Sequence, residues 1–521
     1  MISAKLTPDN NWIIVSSSSE WELRQIKLDF CKKYDNWFIL RKKSPIIPIE
    51  ENFMNDYNMI PVGLWLELVN TCIKFKIKLN FTDDFNQKIK NCEITKEQFV
   101  EYVNILFKNN DSIQPKDYQI DGCYNVITYK KCCMEVATSG GKTLMSYIIF
   151  KYLTEVLHKK HILFITPNTN LTTQTVDKFK LYDEKNGVVS TWTSAELHAK
   201  AKKKEKYNET IIFANYQSAC RKKIDFFKMF DILIIDECQH TSNNSIINII
   251  RKSKNAEYKI GMTGTFPKDG TFKNFLIQAN IGPVVYKLSS YKLINEENFA
   301  TPVHVRILVL DYLENDKKEA LYNLRKNKDK DDPTAGSKLL NSEKYLMRSN
   351  ITRFNYILKI LKSTTKNTLA IFSDVQDEYG RKYYNNLKEN TNKNVYYIAG
   401  ETDPAVRKNI INNVENDITG NSIIIASMGC FSEGIDIANI WNIFLLEDTK
   451  SDNILAQILG RGMRRYKGKD KTIMLDFVDD YRYNNGYYEN NYLYVHGQER
   501  IEIYKQRGFP YEIYQVSLLN K

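Results

Sequence analysis

The sequence predicts an α/β protein in which two tandem parallel-sheet domains follow a small α+β domain. From about residue 111 to residue 300, apolar runs of strand length alternate with longer amphipathic segments, which is the rhythm of a parallel sheet. The same rhythm returns after residue 343, beyond a polar stretch that separates the two. A chain of 521 residues is also too long for one hydrophobic core.

Four regions are expected along the chain. Residues 1–110 form the small α+β domain, in which the basic run 41–43 beside an aromatic segment fits either DNA contact or ordinary packing. Residues 111–310 form the first α/β domain. Residues 311–342 form a linker or flexible loop because they are polar and highly charged. Residues 343–521 form the second α/β domain with a C-terminal extension.

The expected strands follow from the apolar runs of the two α/β domains. In the first domain they are 132–136, 162–166, 210–214, 232–235 and 258–263. In the second domain they are 368–372, 395–398, 422–426, 440–446 and 471–476. The N-terminal domain is expected to contain strands at 12–16 and 37–40 and helices at 19–33, 62–75 and 95–107.

Composition narrows the functional class only in part. The net charge of +12 indicates either a polyanionic partner or a solvated lysine-rich surface. Nine cysteines without a CxxC pair indicate free thiols rather than a disulfide framework or a zinc site. No apolar run approaches 18 residues and the first residues lack an apolar signal core, so we expect no membrane association and a cytoplasmic protein.

The most informative motif is the run Val136–Thr143. An apolar segment leads in and a helix-like segment leads out, so the backbone of Thr138, Ser139, Gly140 and Gly141 can cradle phosphate at a helix N-terminus. Lys142 would reach the β- and γ-phosphates of ATP, and the Thr143 hydroxyl would hold Mg²⁺. Val136 stands where the general pattern has its first glycine, and the competing interpretation is a glycine-rich turn with an incidental lysine.

Two further motifs extend this interpretation. Asp236 and Glu237 end an apolar strand, where one carboxylate can hold Mg²⁺ and the next can polarise the attacking water. Arg461 and Arg464 are three residues apart, so on a helix they would share one face and could stabilise charge on a transferred phosphoryl group. The alternatives are a surface acidic pair and a basic, solvent-facing helical turn.

Taken in order, these motifs resemble those of the superfamily 2 helicases. The resemblance includes an adenine-reading segment, the phosphate loop, the acidic pair and the arginine segment. In chain order, all the segments that carry it are Lys116–Gln119, Ala137–Thr143, Thr166–Leu171, Asp236–Gln239, Thr263–Thr265, Leu369–Ser373, Ala426–Asp436 and Gln457–Arg464. Within that superfamily, nearly the whole chain is similar to phage recombination helicases, on the stretches 60–64, 171–174, 264–270, 429–434 and 496–504.

The resemblance implies two RecA-like domains and a small DNA-binding N-terminal domain. It also implies remodelling of branched or forked DNA by fork regression, branch migration and unwinding of D-loops and R-loops, the last involving RNA. Tyr118, Gln119, Gly434 and Asp436 would contact the nucleotide. Asp236, Glu237 and Thr143 would form the metal site, and Gln457, Arg461 and Arg464 would join Lys142 in catalysis. Thr166, Asn168, Ser427 and Gly429 would contact the nucleic-acid backbone.

Three functions compete at this point. The first is a DNA helicase that acts on branched DNA. The second is an RNA helicase or the motor of a restriction system, since contacts to a backbone do not reveal which nucleic acid is bound. The third is a DNA-binding scaffold without catalysis, which the intact Lys142, Asp236, Glu237, Arg461 and Arg464 argue against.

Overall fold

The computed structural model describes residues 1–35, 37, 40–41, 46–91, 94–188, 192–198, 207–327, 335–373, 378–432, 437–483 and 491–518. The chain divides into two compact units, Met1–Leu288 and Ser289–Lys521. Within the described ranges, no helix is both long and apolar enough to cross a membrane. Of the predicted strand at 37–40, residues 38 and 39 lie outside the described residues, as do Lys42 and Lys43 of the basic run.

The N-terminal part of the first unit is built on a small mixed sheet. Its strand order is β5-β2-β1-β6, with β1–β2 and β2–β5 antiparallel and β1–β6 parallel. Residues of β2 alternate between exposed and buried, so one face of the sheet covers a core. A separate antiparallel pair is formed by β3 and β4. The elements are β1 (Ile2–Leu6), β2 (Trp12–Ser16), α1 (Glu20–Asp29), β3 (Cys31–Lys33), β4 (Glu50–Asn52), β5 (Met59–Pro61), a 3₁₀ turn (Val62–Leu64), α2 (Trp65–Lys74), β6 (Leu79–Phe81), α3 (Phe85–Ile89) and α4 (Lys96–Leu106).

The rest of the first unit is a seven-stranded sheet in which every pair of neighbours is parallel. The strand order is β13-β7-β12-β11-β8-β10-β9. All five residues of β8 and of β10 are buried, because helices cover both faces of the sheet. The elements are α5 (Asp117–Thr128), β7 (Lys131–Val136), α6 (Lys142–Glu155), β8 (Ile162–Thr166), α7 (Thr169–Lys185), β9 (Ser194–Leu197), β10 (Ile211–Asn215), α8 (Tyr216–Ala219), α9 (Ile224–Phe227), β11 (Ile232–Asp236), a 3₁₀ helix (Cys238–Ser242), α10 (Asn244–Lys252), β12 (Tyr258–Thr263), α11 (Phe272–Asn280) and β13 (Val284–Leu288).

The two parts of the first unit share one hydrophobic core through α11. Phe275 of that helix is buried among the N-terminal residues, with its ring centroid 5.5 Å from that of Phe30 in an edge-on contact. Lys273 forms an ion pair with Asp35 at 3.0 Å. On the other side, α4 packs on α6 of the parallel-sheet domain. The N-terminal region is therefore built into the first unit.

The second unit holds another seven-stranded parallel sheet, with the order β16-β17-β15-β18-β19-β14-β20. All six residues of β17 are buried, whereas the edge strand β20 is largely exposed. The elements are α12 (Ser290–Asn295), β14 (Val303–Asp311), α13 (Glu314–Asn327), α14 (Ala335–Ser349), α15 (Ile351–Ser363), β15 (Thr368–Phe372), α16 (Tyr379–Asn390), β16 (Asn394–Ile398), α17 (Pro404–Glu415), β17 (Ser422–Ser427), α18 (Met428–Ser432), β18 (Asn442–Leu445), α19 (Asp452–Gly462), β19 (Thr472–Asp480), α20 (Tyr492–Gln506) and β20 (Tyr511–Ser517).

The division between the units differs from the predicted boundaries. The sequence predicts that the segment 289–310 belongs to the first domain, but it lies in the second unit, where β14 pairs along its whole length with β19. The physical reason is that β14 finds parallel partners on both of its sides only in the second sheet. Helices α13 and α14 occupy much of the predicted linker 311–342, in which residues 328–334 lie outside the described residues.

The cysteines that the structure describes carry free thiols. Cys31 and Cys220 are partly exposed, and the others are buried: Cys72, Cys123, Cys132, Cys133, Cys238 and Cys430. Cys92 lies outside the described residues.

Candidate nucleotide and nucleic-acid site

A tight loop joins the end of β7 to the start of α6. Ser139 and Gly141 both have positive φ, at 71° and 86°. A Cβ atom on Gly141 would lie 2.2 Å from Nε2 of Gln119, and one on Gly140 would lie 2.6 Å from Cγ1 of Val136. Only glycine fits at both positions, so the bare backbone of the loop is presented at the N-terminus of α6.

Gln119 supports this loop from α5. Its Nε2 donates to the Gly140 carbonyl at 3.1 Å, and its Oε1 accepts from the Lys116 backbone N–H at 2.9 Å. Each end of the amide retains further hydrogen-bonding capacity. Tyr118, also predicted to contact nucleotide, is only 3% exposed, and its backbone carbonyl accepts from the Tyr286 hydroxyl at 2.7 Å. The Tyr118 ring therefore belongs to the core rather than to a ligand-facing surface.

Lys142, the first residue of α6, reaches across to the neighbouring strand ends. Its Nζ lies 3.9 Å from Oε1 of Glu237 and 3.5 Å from the Val136 carbonyl. A Cβ atom on Gly264 would lie 3.2 Å from the same Nζ, so Gly264 leaves room for the ammonium group. Because β7, β12 and β11 are adjacent, their carboxyl ends place these groups at one edge of the sheet.

Asp236 and Glu237 form the acidic part of this edge. Asp236 ends β11, and one of its oxygens accepts from the Glu237 backbone N–H at 3.0 Å. Glu237 itself has a positive φ of 53°. Burial raises the pKa of Asp236 to about 7, with a further contribution from the Glu237 carboxylate, and the Lys142 ammonium opposes the shift.

Gln239 links Glu237 to the end of β12. Its Nε2 donates to Oε2 of Glu237 at 2.7 Å, and its Oε1 accepts from the Thr263 hydroxyl. Thr263 Oγ1 in turn accepts from the Thr265 backbone N–H at 3.1 Å. The sequence places Gln239 in the motif Asp236–Gln239 but predicts no role for it. Its position two residues after Glu237 was the available signal.

These residues fit a nucleotide with Mg²⁺. The loop offers backbone N–H groups without side chains in the way, and Lys142 supplies a positive charge beside them. Thr143, in the first turn of α6, and Asp236 provide the hydroxyl and carboxylate oxygens that Mg²⁺ prefers. Thr138 and Ser139 stand in the loop itself. The residues predicted for the phosphate end of the nucleotide are thus brought together within the first unit.

The residues predicted to contact nucleic acid in the first unit differ in exposure. Thr166 is fully buried, and its hydroxyl pairs with that of Thr172 at 2.7 Å, so its side chain is not presented to a ligand. Asn168 is half-buried and caps α7 by accepting from the Leu171 backbone N–H at 3.0 Å. A contact in this region therefore depends on Asn168 and on the helix N-terminus that it caps.

The corresponding residues of the second unit show the same contrast. Ser427 is 3% exposed at the end of β17, whereas Gly429 is exposed in α18. A Cβ atom on Gly429 would meet nothing within 4 Å. Gly434 and Asp436 lie outside the described residues.

Arg464 does not lie on the same helix as Arg461, contrary to the prediction that the two share a helical face. Helix α19 carries Gln457 and Arg461 but ends at Gly462. Gly462 is packed closely, since a Cβ atom there would lie 3.1 Å from side-chain atoms of Ile443, Thr472 and Val303. The spacing of Arg461 and Arg464 does not predict that α19 ends at Gly462, because the side chains that pack against this helix end come from other parts of the sequence.

Comparison with known proteins places the chain in a family. The model for the res subunit of type III restriction enzymes matches residues 112–268, and the model for the helicase conserved C-terminal domain matches residues 352–466. The ATP-dependent DNA helicase uvsW of Enterobacteria phage T4 is 27% identical over 478 residues, which cover 89% of each chain.

The chain is a superfamily 2 helicase. ATP-dependent helicase activity follows from this membership.

A solved structure shares the helicase's fold. The structure of a type ISP restriction-modification enzyme, LlaBIII, bound to DNA aligns with 78% of this helicase. The alignment covers 32% of the LlaBIII chain, with 15% identity and a TM-score of 0.50. The crystal structure of T4 UvsW covers 99% of this helicase and 100% of its own chain, at 21% identity and a TM-score of 0.47. The parallel sheets and flanking helices are those of two RecA-like domains, as predicted.

Proposed function

We propose that this helicase uses ATP to move along DNA and to remodel branched or forked DNA, by fork regression, branch migration and unwinding of D-loops and R-loops. The observation that carries the catalytic part is the meeting of Lys142, Glu237 and Asp236 at one sheet edge, with Lys142 Nζ 3.9 Å from Glu237. The choice of DNA is supported by the similarity to a phage DNA helicase and by the net charge of +12. Such a protein would act in the cytoplasm of an infected cell.

The nucleotide site is proposed to work through residues of the first unit. Lys142 and the loop N–H groups would hold the β- and γ-phosphates of ATP, and Thr143 and Asp236 would hold Mg²⁺, which neutralises phosphate charge when bound. Glu237 would orient the attacking water. The Gln239 amide, which donates to the Glu237 carboxylate at 2.7 Å, would hold that carboxylate in place. Gln119 would contact adenine through the hydrogen-bonding capacity that remains on its amide.

Residues of the second unit are proposed to complete the chemistry. Arg461 and Arg464 would stabilise the charge that develops on the transferred phosphoryl group, with Gln457 beside them in sequence on α19. Gly434 and Asp436 would contact the nucleotide. Asn168 and Gly429, the exposed or half-exposed members of their sets, would contact the nucleic-acid backbone without reading sequence.

A restriction-type DNA translocase is the second candidate, because the model that matches residues 112–268 is that of a restriction-enzyme subunit. The two candidates differ in substrate. A translocase of that kind requires duplex DNA but no branch, whereas the proposed function requires a branch. An RNA helicase would respond to RNA instead.

The deciding experiment measures phosphate release by the purified full chain with forked DNA, linear duplex DNA and single-stranded RNA at equal nucleotide concentration. Lys142→Ala is the catalytic control, because it removes the charge at the phosphate loop while leaving other surfaces intact. Lys180→Ala, an exposed change on α7, is the matched control.

We expect forked DNA to stimulate the wild-type chain and Lys180→Ala most strongly, and Lys142→Ala to show almost no turnover while still binding DNA. Equal stimulation by linear duplex would favour the translocase, and stimulation by RNA alone would favour an RNA helicase. Full turnover by Lys142→Ala would overturn the assignment of the nucleotide site.

A further inference from the structure

The ammonium group of Lys469 lies beside the C-terminal end of α19, within hydrogen-bonding distance of three backbone carbonyls. Its Nζ donates to the carbonyl of Gly462 at 3.0 Å, to that of Arg464 at 3.1 Å and to that of Ala438 at 3.2 Å. An ammonium group has three N–H donors, so this set uses all of them. The last carbonyls of a helix have no partner within the helix, and Lys469 supplies one.

Two of these carbonyls fix the backbone from which Arg464 projects. The Gly462 carbonyl also accepts from the Thr472 hydroxyl at 2.7 Å, and the Arg464 carbonyl also accepts from the Thr301 hydroxyl at 3.0 Å. The carbonyls of Gly462 and Arg464, the residues before and after Met463, therefore each accept from two side-chain donors. The path of the chain after α19, and hence the origin of the Arg464 side chain, is set by side chains from outside the helix.

The third carbonyl belongs to the segment that follows the Ala426–Asp436 motif. The backbone N–H groups of Ala438 and Asn439 donate to the Glu415 carboxylate at 2.8 and 3.3 Å. Glu415 thus holds this segment by its N–H groups while Lys469 holds it by a carbonyl. Lys469 therefore joins this segment directly to the end of α19.

We propose that Lys469 is a positioning residue that ties the segment at Ala438 to the backbone of Gly462 and Arg464, and so holds Arg464 in the place where it acts on the transferred phosphoryl group. This inference rests on the proposed role of Arg464. It explains why a lysine, with three donors on a flexible stem, stands at the meeting point of three carbonyls that no neutral side chain could satisfy together.

The electrostatic setting of Lys469 combines burial with two neighbouring charges. Burial lowers the pKa of Lys469 to about 7; the Glu415 carboxylate opposes the shift and the Arg464 guanidinium adds to it. The three carbonyl oxygens favour the ammonium form of Lys469, because only that form has three N–H donors.

The test compares Lys469→Met, which keeps an unbranched side chain up to the position of Cε and removes the ammonium, with Lys467→Met, the same change at an exposed position two residues away. ATP turnover at saturating DNA is measured for both, with KM for ATP and the melting temperature. We expect Lys469→Met to lower kcat by about 10- to 100-fold, as expected when a catalytic group is misplaced by about 1 Å, with KM within about twofold. Lys467→Met should match the wild type.

A double-mutant cycle separates positioning from a general loss of structure. If Lys469 acts through Arg464, then Lys469→Met should lower kcat no further in a chain that already carries Arg464→Ala. The inference is overturned if Lys469→Met lowers kcat by the same factor in the Arg464→Ala chain as in the wild-type chain. It is also overturned if Lys469→Met alone leaves kcat unchanged. Arg464→Ala with a wild-type kcat would instead overturn the proposed role of the arginine, so the two failures are distinct.

Thr301→Val keeps the inference testable if Lys469→Met does not fold. This nearly isosteric change removes the other donor to the Arg464 carbonyl. A lower kcat at an unchanged KM would support the control of Arg464 through its backbone, and an unchanged kcat would overturn it.

Discussion

The side-chain amide of Gln239 donates to the Glu237 carboxylate at 2.7 Å and accepts from the Thr263 hydroxyl. One side chain thus connects the carboxylate proposed to orient water with the end of the neighbouring strand β12. Both Gln239 and Thr263 are buried, so these hydrogen bonds are shielded from solvent and are electrostatically stronger than they would be in water.

Replacement of Gln239 by leucine should therefore impair turnover more than nucleotide binding. We expect Gln239→Leu to lower kcat for ATP hydrolysis by about 10- to 100-fold, because Glu237 loses the group that orients it, with little change in KM. His240→Leu, at the exposed next residue, is the control and should leave both constants unchanged. A rise in KM at a constant kcat would show that Gln239 serves nucleotide binding instead.

The raised pKa of Asp236 predicts a pH dependence of stability in the ligand-free protein. The folded pKa of about 7 lies above the ordinary carboxyl value of 3.8, so the stabilising contribution is present at low pH and is lost as pH rises through about 7. Asp236→Asn should remove this dependence. We expect the melting temperature to fall by a few degrees more between pH 6 and pH 8 in the wild type than in the variant.

Mg²⁺ should reverse this loss by binding the ionised carboxylate. Addition of MgCl₂ at pH 8 should raise the melting temperature of the wild type and of Asp177→Asn, an exposed carboxyl on α7, but not that of Asp236→Asn. Equal responses of all three proteins would show that the metal binds elsewhere.

Removal of the N-terminal region should destabilise the first unit. A chain that begins at Ser112 would expose Phe275, which is 1% exposed in the intact protein, and would also lose α4, whose Phe99 packs on Tyr152 of α6 with ring centroids 5.0 Å apart. We expect such a chain to aggregate or to melt well below the full chain, because buried aromatic surface is worth several kcal/mol. A soluble fragment with the melting temperature of the full chain would contradict the shared core.

The DNA role of the N-terminal region is better tested by substitution than by truncation. Replacement of the basic run Arg41, Lys42 and Lys43 by serine should weaken binding to a forked duplex. If these residues bind phosphates, the slope of log K against log salt should become shallower by about 0.9 for each phosphate that the variant no longer neutralises. The control carries the same charge change at Lys318, Lys359 and Lys388, which are exposed on helices of the second unit. Equal slopes for the two variants would assign the basic run to packing or to another partner.

The sequence was most informative where a strand is buried on both faces. The strands Ile162–Thr166, Tyr258–Thr263 and Thr368–Phe372 have the predicted bounds, because continuous apolar runs end where burial ends. The edge strand Tyr511–Ser517 was not predicted, because it is mostly exposed and depends on its pairing with β14. Edge strands have no comparable apolar signal, since only a neighbouring strand defines them.

The sequence predicts which residues meet at the phosphate end of the site, but not the exposure and backbone position of every predicted site residue. The tight loop and the strand ends that surround it follow from Gly140, Gly141 and the adjacent strands, and the structure places Lys142 beside Glu237. The burial of Thr166 and the end of α19 before Arg464 were not predictable, because both depend on partners remote in sequence, such as Ala214 and Thr301. The catalytic roles themselves stay predictions.

The sharing of α11 between the N-terminal sheet and the first RecA-like sheet limits how such a helicase can diversify. Only a short stretch separates the end of β12 at Thr263 from the start of α11 at Phe272. A foreign N-terminal domain could not simply replace residues 1–110, because Phe272, Phe275 and Leu276 of the motor would lose their cover. Exchange of specificity between relatives, in evolution or in the laboratory, would have to carry this helix along with the domain it covers.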